Sequence, residues 1–397
     1  MQTNLKNKVL NTMAALLEAK RKAILDCNQI DVNNYKGSDQ SMYDRLIVND
    51  KKVDGMIQSV TEVMEKSDPV GQLLSEFQHE NGLQIENRTS PFGTILIIYE
   101  SRPDVSIEAA ALAFKAGNRI LLKGGKEAVQ SNLKLVEIWH QALEENGLSK
   151  DWVKYLQFTR PETQAFLKQP TEPVDLIVPR GGEALIEYVK THSTAPVLVS
   201  GRGNNFLYVH EDADVEQSLK VILNAKTAKI SACNALDKVL IYKNLPDFNA
   251  RVQELAAALL QHKVAVTVDK TLYSLLDAST VSLIDDEAIW AEEFLAMKIV
   301  LGAVDSMETA IEKINHYSGK HSVVIMTKNK ATALQFMTDI DAAAVYHNAS
   351  TRFTDGGQFG MGAELAISTD KLHHRGPLGL SQLVTNKWFV FGSGQVR

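Results

Sequence analysis

From residue 94 to residue 199 the chain alternates short, wholly apolar runs with longer amphipathic stretches, and few folds accept that pattern. The run Thr94-Ile95-Leu96-Ile97-Ile98-Tyr99 leads through Pro103 into a helix predicted over 107–115, which Gly117 can end in a left-handed cap. The cycle repeats with strand 120–122, helix 128–143 stopped near Gly147, strand 153–158, helix 162–168, strand 174–178, helix 183–190 and strand 196–199. A strand without a polar face must be covered on both sides, as in a parallel sheet with crossover helices. The pattern therefore predicts a doubly wound α/β domain. Ligands of such sheets bind beyond the carboxyl ends of the strands, so chemistry is expected in the loops after Leu122 and Val178.

Ahead of this domain, residues 1–80 read as helical from spacings such as Val9, Met13, Leu16 and Leu17. A second α/β stretch begins near residue 225, with strands expected near 239–241, 265–267, 299–304, 323–326 and 343–346. Helices are expected near 249–260, 307–316 and 330–338. The last segment, 383–391, is β-like and carries Trp388, Phe389 and Phe391. Such a strand needs a partner, either the sheet edge of another subunit or a strand of its own chain.

The 397 residues exceed one average domain, and 45% apolar with 23% charged residues is a globular composition. With 42 Lys+Arg against 48 Asp+Glu the net charge is −6, which argues against a nucleic-acid partner. No apolar run is long enough for a membrane span, and the amphipathic start lacks the features of a signal peptide. Cys27 and Cys233 are too few for a disulfide framework and too far apart for a zinc site, so no metal and a reducing, cytoplasmic setting are expected.

Three segments can carry chemistry. Cys233 lies among small and polar residues, Lys229-Ile230-Ser231-Ala232-Cys233-Asn234-Ala235, unlike a packed core; a nucleophile and an inert thiol both remain open there. Lys123-Gly124-Gly125-Lys126 follows a strand and opens a helix, which suits either an anion-binding helix start or a plain turn with solvated lysines. Pro179-Arg180-Gly181-Gly182 repeats that arrangement without the spaced glycines of a Rossmann fingerprint or the Walker pattern. Two such loops in one sheet favour a ligand with several phosphates.

Longer tracts carry a resemblance. They are Tyr99-Glu100-Ser101-Arg102-Pro103, Leu122-Lys123-Gly124-Gly125, Asn224-Ala225-Lys226, Cys233-Asn234-Ala235, the stretch 348–356 that continues through 359–364, and Arg375-Gly376-Pro377. Over nearly its whole length the chain resembles the glutamate-5-semialdehyde dehydrogenases, or gamma-glutamyl phosphate reductases, of the aldehyde dehydrogenase superfamily. The resemblance implies an aldehyde-dehydrogenase-like α/β fold: a doubly wound NADP-binding domain over 1–226, with 83–93 joining an oligomerisation hairpin; an α/β catalytic domain over 227–365; and a return segment with an oligomerisation strand over 366–397. It also implies NADPH-dependent reduction of L-glutamyl 5-phosphate to L-glutamate 5-semialdehyde and phosphate, in proline biosynthesis. The partners it implies are a small-molecule acyl phosphate, other copies of the chain in a homo-oligomer, and a functionally coupled glutamate 5-kinase.

In that reading Cys233 is the nucleophile that forms a thioester. Aldehyde-oxidising relatives place a water-activating glutamate upstream of the cysteine, where Ser200 stands here, and no Asp or Glu lies between Glu187 and Glu211. A thioester should then persist for reduction. NAD-preferring relatives carry a ribose-binding glutamate where this chain has Lys126, and exchanging a carboxylate for an ammonium favours the 2′-phosphate of NADP(H). Lys123, Gly181 and Gly182 complete the expected cofactor contacts, with Glu293 on the nicotinamide ribose or else a solvated helix-face acid. Arg102 and Arg352 are candidates for the substrate's anionic groups or for structural ion pairs, and His321 reads as structural. Asp104 stands where relatives often have an oxyanion-binding asparagine, Lys229-Ile230 replaces an Arg-Pro pair, and Val323 replaces an acid. The alternatives are an NADP-dependent reductase or dehydrogenase of another semialdehyde and a catalytically silent NADP-binding relative.

Overall fold

A computed structural model describes residues 1–199 and 201–397, and the chain divides into two compact units. The first comprises Met1–Ser200, Gly360–Ala366 and Pro377–Arg397, and the second Gly201–Phe359 and Ile367–Gly376. The division falls before residue 226, where the sequence places it. The reason is the strand Asn205–Val209, which hydrogen-bonds between Leu236–Tyr242 and Ser322–Met326 and so belongs to the second sheet. The tail likewise splits, with 367–376 in the second unit and 377–397 in the first.

In the first unit, parallel strands lie in the order Val153–Tyr155, Arg119–Lys123, Thr94–Tyr99, Leu176–Arg180. The chain steps outward twice from Thr94–Tyr99 and then returns to that strand's other side, which makes a switch point between Thr94–Tyr99 and Leu176–Arg180. Ile95, Ile97 and Tyr99 enter one core, with the helices Val105–Lys115, Val129–Glu145, Thr3–Ala19 and Asp50–Glu65. Leu96 and Ile98 enter another, with the helices Arg160–Lys168 and Glu183–His192. The period-two alternation thus meets apolar neighbours on both faces, which is why Ile95–Ile98 are all aliphatic. Gly117, at φ 75°, ends its helix as expected. The strand expected over 196–199 is reduced to a single bridge between Ile177 and Val197.

Residues 73–78, read as part of a helical region, instead form the strand Leu73–Gln78, antiparallel to Gln84–Pro91, which also pairs with Val384–Phe391. The C-terminal strand therefore finds its partner within its own chain. Leu73, Leu74, Phe77, Trp388 and Phe391 on this small sheet stay exposed.

In the second unit seven parallel strands among the described residues run in the order Ser282–Leu283, Ala265–Val268, Lys298–Val304, Leu236–Tyr242, Asn205–Val209, Ser322–Met326, Ala344–His347. Leu207 and Val209 pack on one face with the helices Val215–Thr227 and Phe248–Gln261, and Phe206 and Tyr208 on the other with Met307–Tyr317 and Lys330–Asp339. Among the described residues no helix is long and apolar enough to cross a membrane.

A buried carboxylate sets the helix that follows the Gly124-Gly125 loop. Asp31 accepts from the Ser131 amide at 2.8 Å, the Ser131 hydroxyl at 2.6 Å and the Gln130 amide at 3.1 Å, satisfying the first turn of Val129–Glu145. Asn28 donates to the same hydroxyl at 3.0 Å. Asp31→Ala leaves those donors buried without a partner, and a loss of about 1–3 kcal/mol in unfolding free energy is expected from urea denaturation; an unchanged midpoint would show that water replaces the carboxylate.

Candidate functional site

The first unit holds a phosphate-friendly cavity. The carboxyl ends of Thr94–Tyr99, Arg119–Lys123 and Val153–Tyr155 open into a space of about 690 Å³, lined by Lys123, Gly124, Gly125, Lys126, Tyr155 and Arg160 among others. A Cβ on Gly124 would stand 2.3 Å from the Asn132 amide nitrogen, so the backbone runs there only because it has no side chain. Lys123 is half-buried and donates to the Gly124 carbonyl at 2.6 Å, and burial draws its pKa below the usual lysine range. Lys126 is exposed at the rim. The neighbouring acid, Glu127, is engaged elsewhere: its carboxylate accepts from the Ser101 amide at 3.0 Å and hydroxyl at 2.6 Å. Three cations and exposed loop backbone in one cavity are a donor set that fits a phosphorylated dinucleotide.

Gly181 and Gly182 follow Leu176–Arg180 at the switch point and open the helix Glu183–His192, which has no side-chain cap. The Gly182 amide donates to Glu100 Oε1 at 3.4 Å, so this helix start already faces one carboxylate. Beside it lies a mixed-charge cluster. Arg102 pairs with Asp104 at 3.3 Å, and Asp104 Oδ1 is buried with no hydrogen-bond partner. Burial, with the Asp104 charge next, pushes the Glu108 carboxyl up, while Arg102 and Arg180 oppose that rise. Burial, then Arg102, draws the Arg180 guanidinium down.

In the second unit Cys233 is half-buried just ahead of Leu236–Tyr242, at the amino edge of its sheet rather than the carboxyl edge. The first peptide groups of parallel strands lack a full ladder, and side chains satisfy them here. Asn205, fully buried, donates through Nδ2 to the carbonyls of Gly203 at 2.9 Å, Cys233 at 2.8 Å and Ala235 at 2.6 Å. Its Oδ1 accepts the Ser322 amide at 3.0 Å. Gly203 lies so close that a Cβ would sit 2.0 Å from the Cys233 carbonyl oxygen.

The same loop reaches the tract around Arg352. Asn234 Nδ2 donates to the carbonyls of Thr354 at 3.0 Å and Arg352 at 3.3 Å, and the Thr351 hydroxyl donates to the Asn234 carbonyl at 2.6 Å. Arg352 Nη1 is buried with no hydrogen-bond partner. Glu293 sits in a loop, not on a helix face, and its Oε1 accepts the Gly203 amide at 2.9 Å. Cys233, Arg352 and Glu293 are thus brought together through two backbone segments.

Other expectations resolve differently. Lys226, a sequence neighbour that could have polarised the thiol, is buried on Asp237 at 2.8 Å. His321 is buried with its pKa pushed down to about 4 by desolvation, so it is a neutral ring against the Ser322 hydroxyl at 2.8 Å. Ser200 lies outside the described residues. Asn205, Glu127 and Arg160 are not singled out by the sequence; the Asn204-Asn205 pair opening the apolar run 206–209 is the only signal that marks the first of them.

Residues 1–272 match the family model described as the aldehyde dehydrogenase family. A gamma-glutamyl phosphate reductase of Dictyoglomus thermophilum is 40% identical, covering 100% of this chain and 95% of the relative. The crystal structure of gamma-glutamyl phosphate reductase from Thermotoga maritima superposes with a TM-score of 0.96 at 40% identity, covering 100% of this chain and 95% of that one. An engineered glycolyl-CoA reductase with bound NADP+ shares the fold, at a TM-score of 0.66 and 17% identity over 98% of this chain and 92% of its own. The chain belongs to the aldehyde dehydrogenase family and, within it, to the gamma-glutamyl phosphate reductases.

Proposed function

We propose that the protein reduces L-glutamyl 5-phosphate with NADPH to L-glutamate 5-semialdehyde and phosphate, through a thioester on Cys233, as a step of proline biosynthesis. The carrying observation is the tethered Cys233 loop in a chain 40% identical over its full length to gamma-glutamyl phosphate reductases. An acyl phosphate suits a sulfur nucleophile because it brings its own leaving group.

The Cys233 thiolate attacks the acyl carbon, the C–S bond forms, and the C–O bond to phosphate breaks with its electron pair leaving on phosphate. The backbone N–H of Cys233 receives the developing oxyanion. Asp104, paired with Arg102, orients that guanidinium, and Arg102 and Arg352 take the substrate's anionic ends in bidentate fashion. Bound NADPH supplies a hydride to the thioester. Cys233 then departs as thiolate and the semialdehyde is released. The stretch between Glu187 and Glu211 contains no carboxylate to activate water, which favours reduction over hydrolysis.

Lys123, Lys126, Gly181, Gly182 and Glu293 are assigned to the cofactor, with Arg160 as a third cation at the cavity. Lys123, Lys126 and Arg160 outnumber Glu100 among the lining side chains, and Glu127 is turned to Ser101, which favours a 2′-phosphate over a bare ribose. The exposed edge strand Val384–Phe391 is assigned to a homo-oligomer contact, and a glutamate 5-kinase acting beside this enzyme in the cytoplasm would shorten the path of a reactive acyl phosphate.

In the reverse direction the purified protein should turn over glutamate 5-semialdehyde and NADP+ repeatedly only when phosphate is present, with at most about one NADPH formed per Cys233 without it, and Cys233→Ser should bind NADPH yet lose nearly all turnover. Phosphate-independent oxidation would assign the protein to aldehyde hydrolysis, and an active Cys233→Ser would remove the thioester. Lys126→Glu should lower the ratio of kcat/KM for NADPH over NADH by about tenfold, the scale of reversing one solvent-facing charge; an unchanged ratio would place the phosphate contact elsewhere in the cavity.

A further inference from the structure

The strand Leu236–Tyr242 contains a register irregularity. Asn205 faces Leu236 while Phe206 faces Lys238, so Asp237 is left over in the ladder. Two consecutive strand residues normally point to opposite faces, and an extra residue re-aims one of them. Here Asp237 and Lys238 both reach the loop of Glu292, Glu293 and Phe294. Asp237 Oδ2 accepts the Phe294 amide at 3.0 Å, and its Oδ1 holds Lys226 Nζ at 2.8 Å. Lys238 Nζ donates to the Glu292 carbonyl at 2.7 Å and lies 3.7 Å from the centre of the Phe294 ring. All three charged side chains are buried, so they have no water to fall back on. The loop is clamped on both sides of Glu293, whose carboxylate accepts the Gly203 amide beside the Cys233 carbonyl.

We propose that Lys238 and Asp237 are positioning residues for the cofactor, holding the 292–294 loop so that Glu293 meets the nicotinamide-side ribose in one fixed geometry. The inference rests on the assignment of Glu293 to that ribose. A buried charge pair adds little net stability compared with apolar packing, but removing one member leaves the other stranded, so such pairs define a conformation sharply. The charged groups around Lys238 come from every neighbouring element: Asp237 on its own strand, Lys226 on the preceding helix, Glu292 on the clamped loop and Lys298 on the adjacent strand. Burial dominates, drawing the Lys238 pKa down to about 7. Below that pH the loop is gripped by an ammonium that donates to a carbonyl and sits over a ring; above it a neutral amine remains and the ring contact weakens.

The test is NADPH binding by calorimetry, with no turnover involved. Lys238→Met and Asp237→Asn should each raise the NADPH dissociation constant by roughly five- to tenfold near pH 6, the scale of one lost hydrogen bond, as should Glu293→Gln. The KM for phosphate in the reverse reaction should move less than twofold. The gap between wild type and Lys238→Met should narrow as pH rises through about 7. If Glu293→Gln weakens binding while Asp237→Asn and Lys238→Met do not, the clamp is overturned and the ribose assignment stands. If none of the three changes affinity, the assignment of Glu293 falls and the clamp falls with it. Should Lys238→Met fail to fold, Asp237→Asn and the wild-type pH profile decide: normal affinity in that variant with no weakening of wild-type binding above about pH 7 overturns the proposal.

Discussion

The side-chain amide of Asn205 reaches three carbonyl oxygens, those of Gly203, Cys233 and Ala235, and through its own oxygen takes the amide of Ser322. Two hydrogens shared among three acceptors make a close, low-dielectric knot, and each acceptor would be costly to leave unmet at this depth. Among the described residues every peptide bond is trans, so fixing the Cys233 carbonyl on Asn205 turns the N–H of that same peptide to the opposite side. The Cys233 segment is thereby set from behind, by main-chain tethers. Asn234 and Thr351 bring in the Arg352 tract, and Gly203 brings in Glu293. The nucleophile proposed at Cys233 needs its orientation fixed before the substrate arrives, and these main-chain tethers serve that need.

The two units divide the labour along chemical lines. The first presents cations and exposed main chain at the carboxyl ends of its strands, as expected of a doubly wound sheet. The second presents its thiol at the amino ends of its strands, where the β-ladder begins and peptide groups are free to be organised by side chains. Negative charge near both sites is engaged locally: Glu127 is hydrogen-bonded by Ser101, Asp104 is paired with Arg102 and Asp237 with Lys226. That arrangement suits substrates and cofactors that are themselves anionic.

Much of the fold was legible because its signals are local. Wholly apolar runs of about five residues separated by helical periods can be buried only between two layers, and the helix stops at Gly117 and Gly147 need only a positive φ. The strand Leu73–Gln78 was illegible because nothing in it contributes to a core; it is a strand only by pairing with Gln84–Pro91. The strand Asn205–Val209 moved the unit boundary for a similar reason, since its membership depends on which sheet receives it. At the candidate site, Cys233, Lys126 and Glu293 were visible through family-like tracts. Asn205, Glu127 and Asp237 were not, because each acts on a peptide group or side chain that only folding brings within reach.

The proposed chemistry puts a covalent acyl group on one sulfur, and mass spectrometry can detect it. The protein is mixed with glutamate 5-semialdehyde and NADP+ in the absence of phosphate, quenched in acid and digested. A glutamyl adduct is expected on the peptide containing Cys233, and it should disappear when phosphate is added before the quench. NADPH formation with an unmodified Cys233 peptide, or an adduct on another residue, would contradict it.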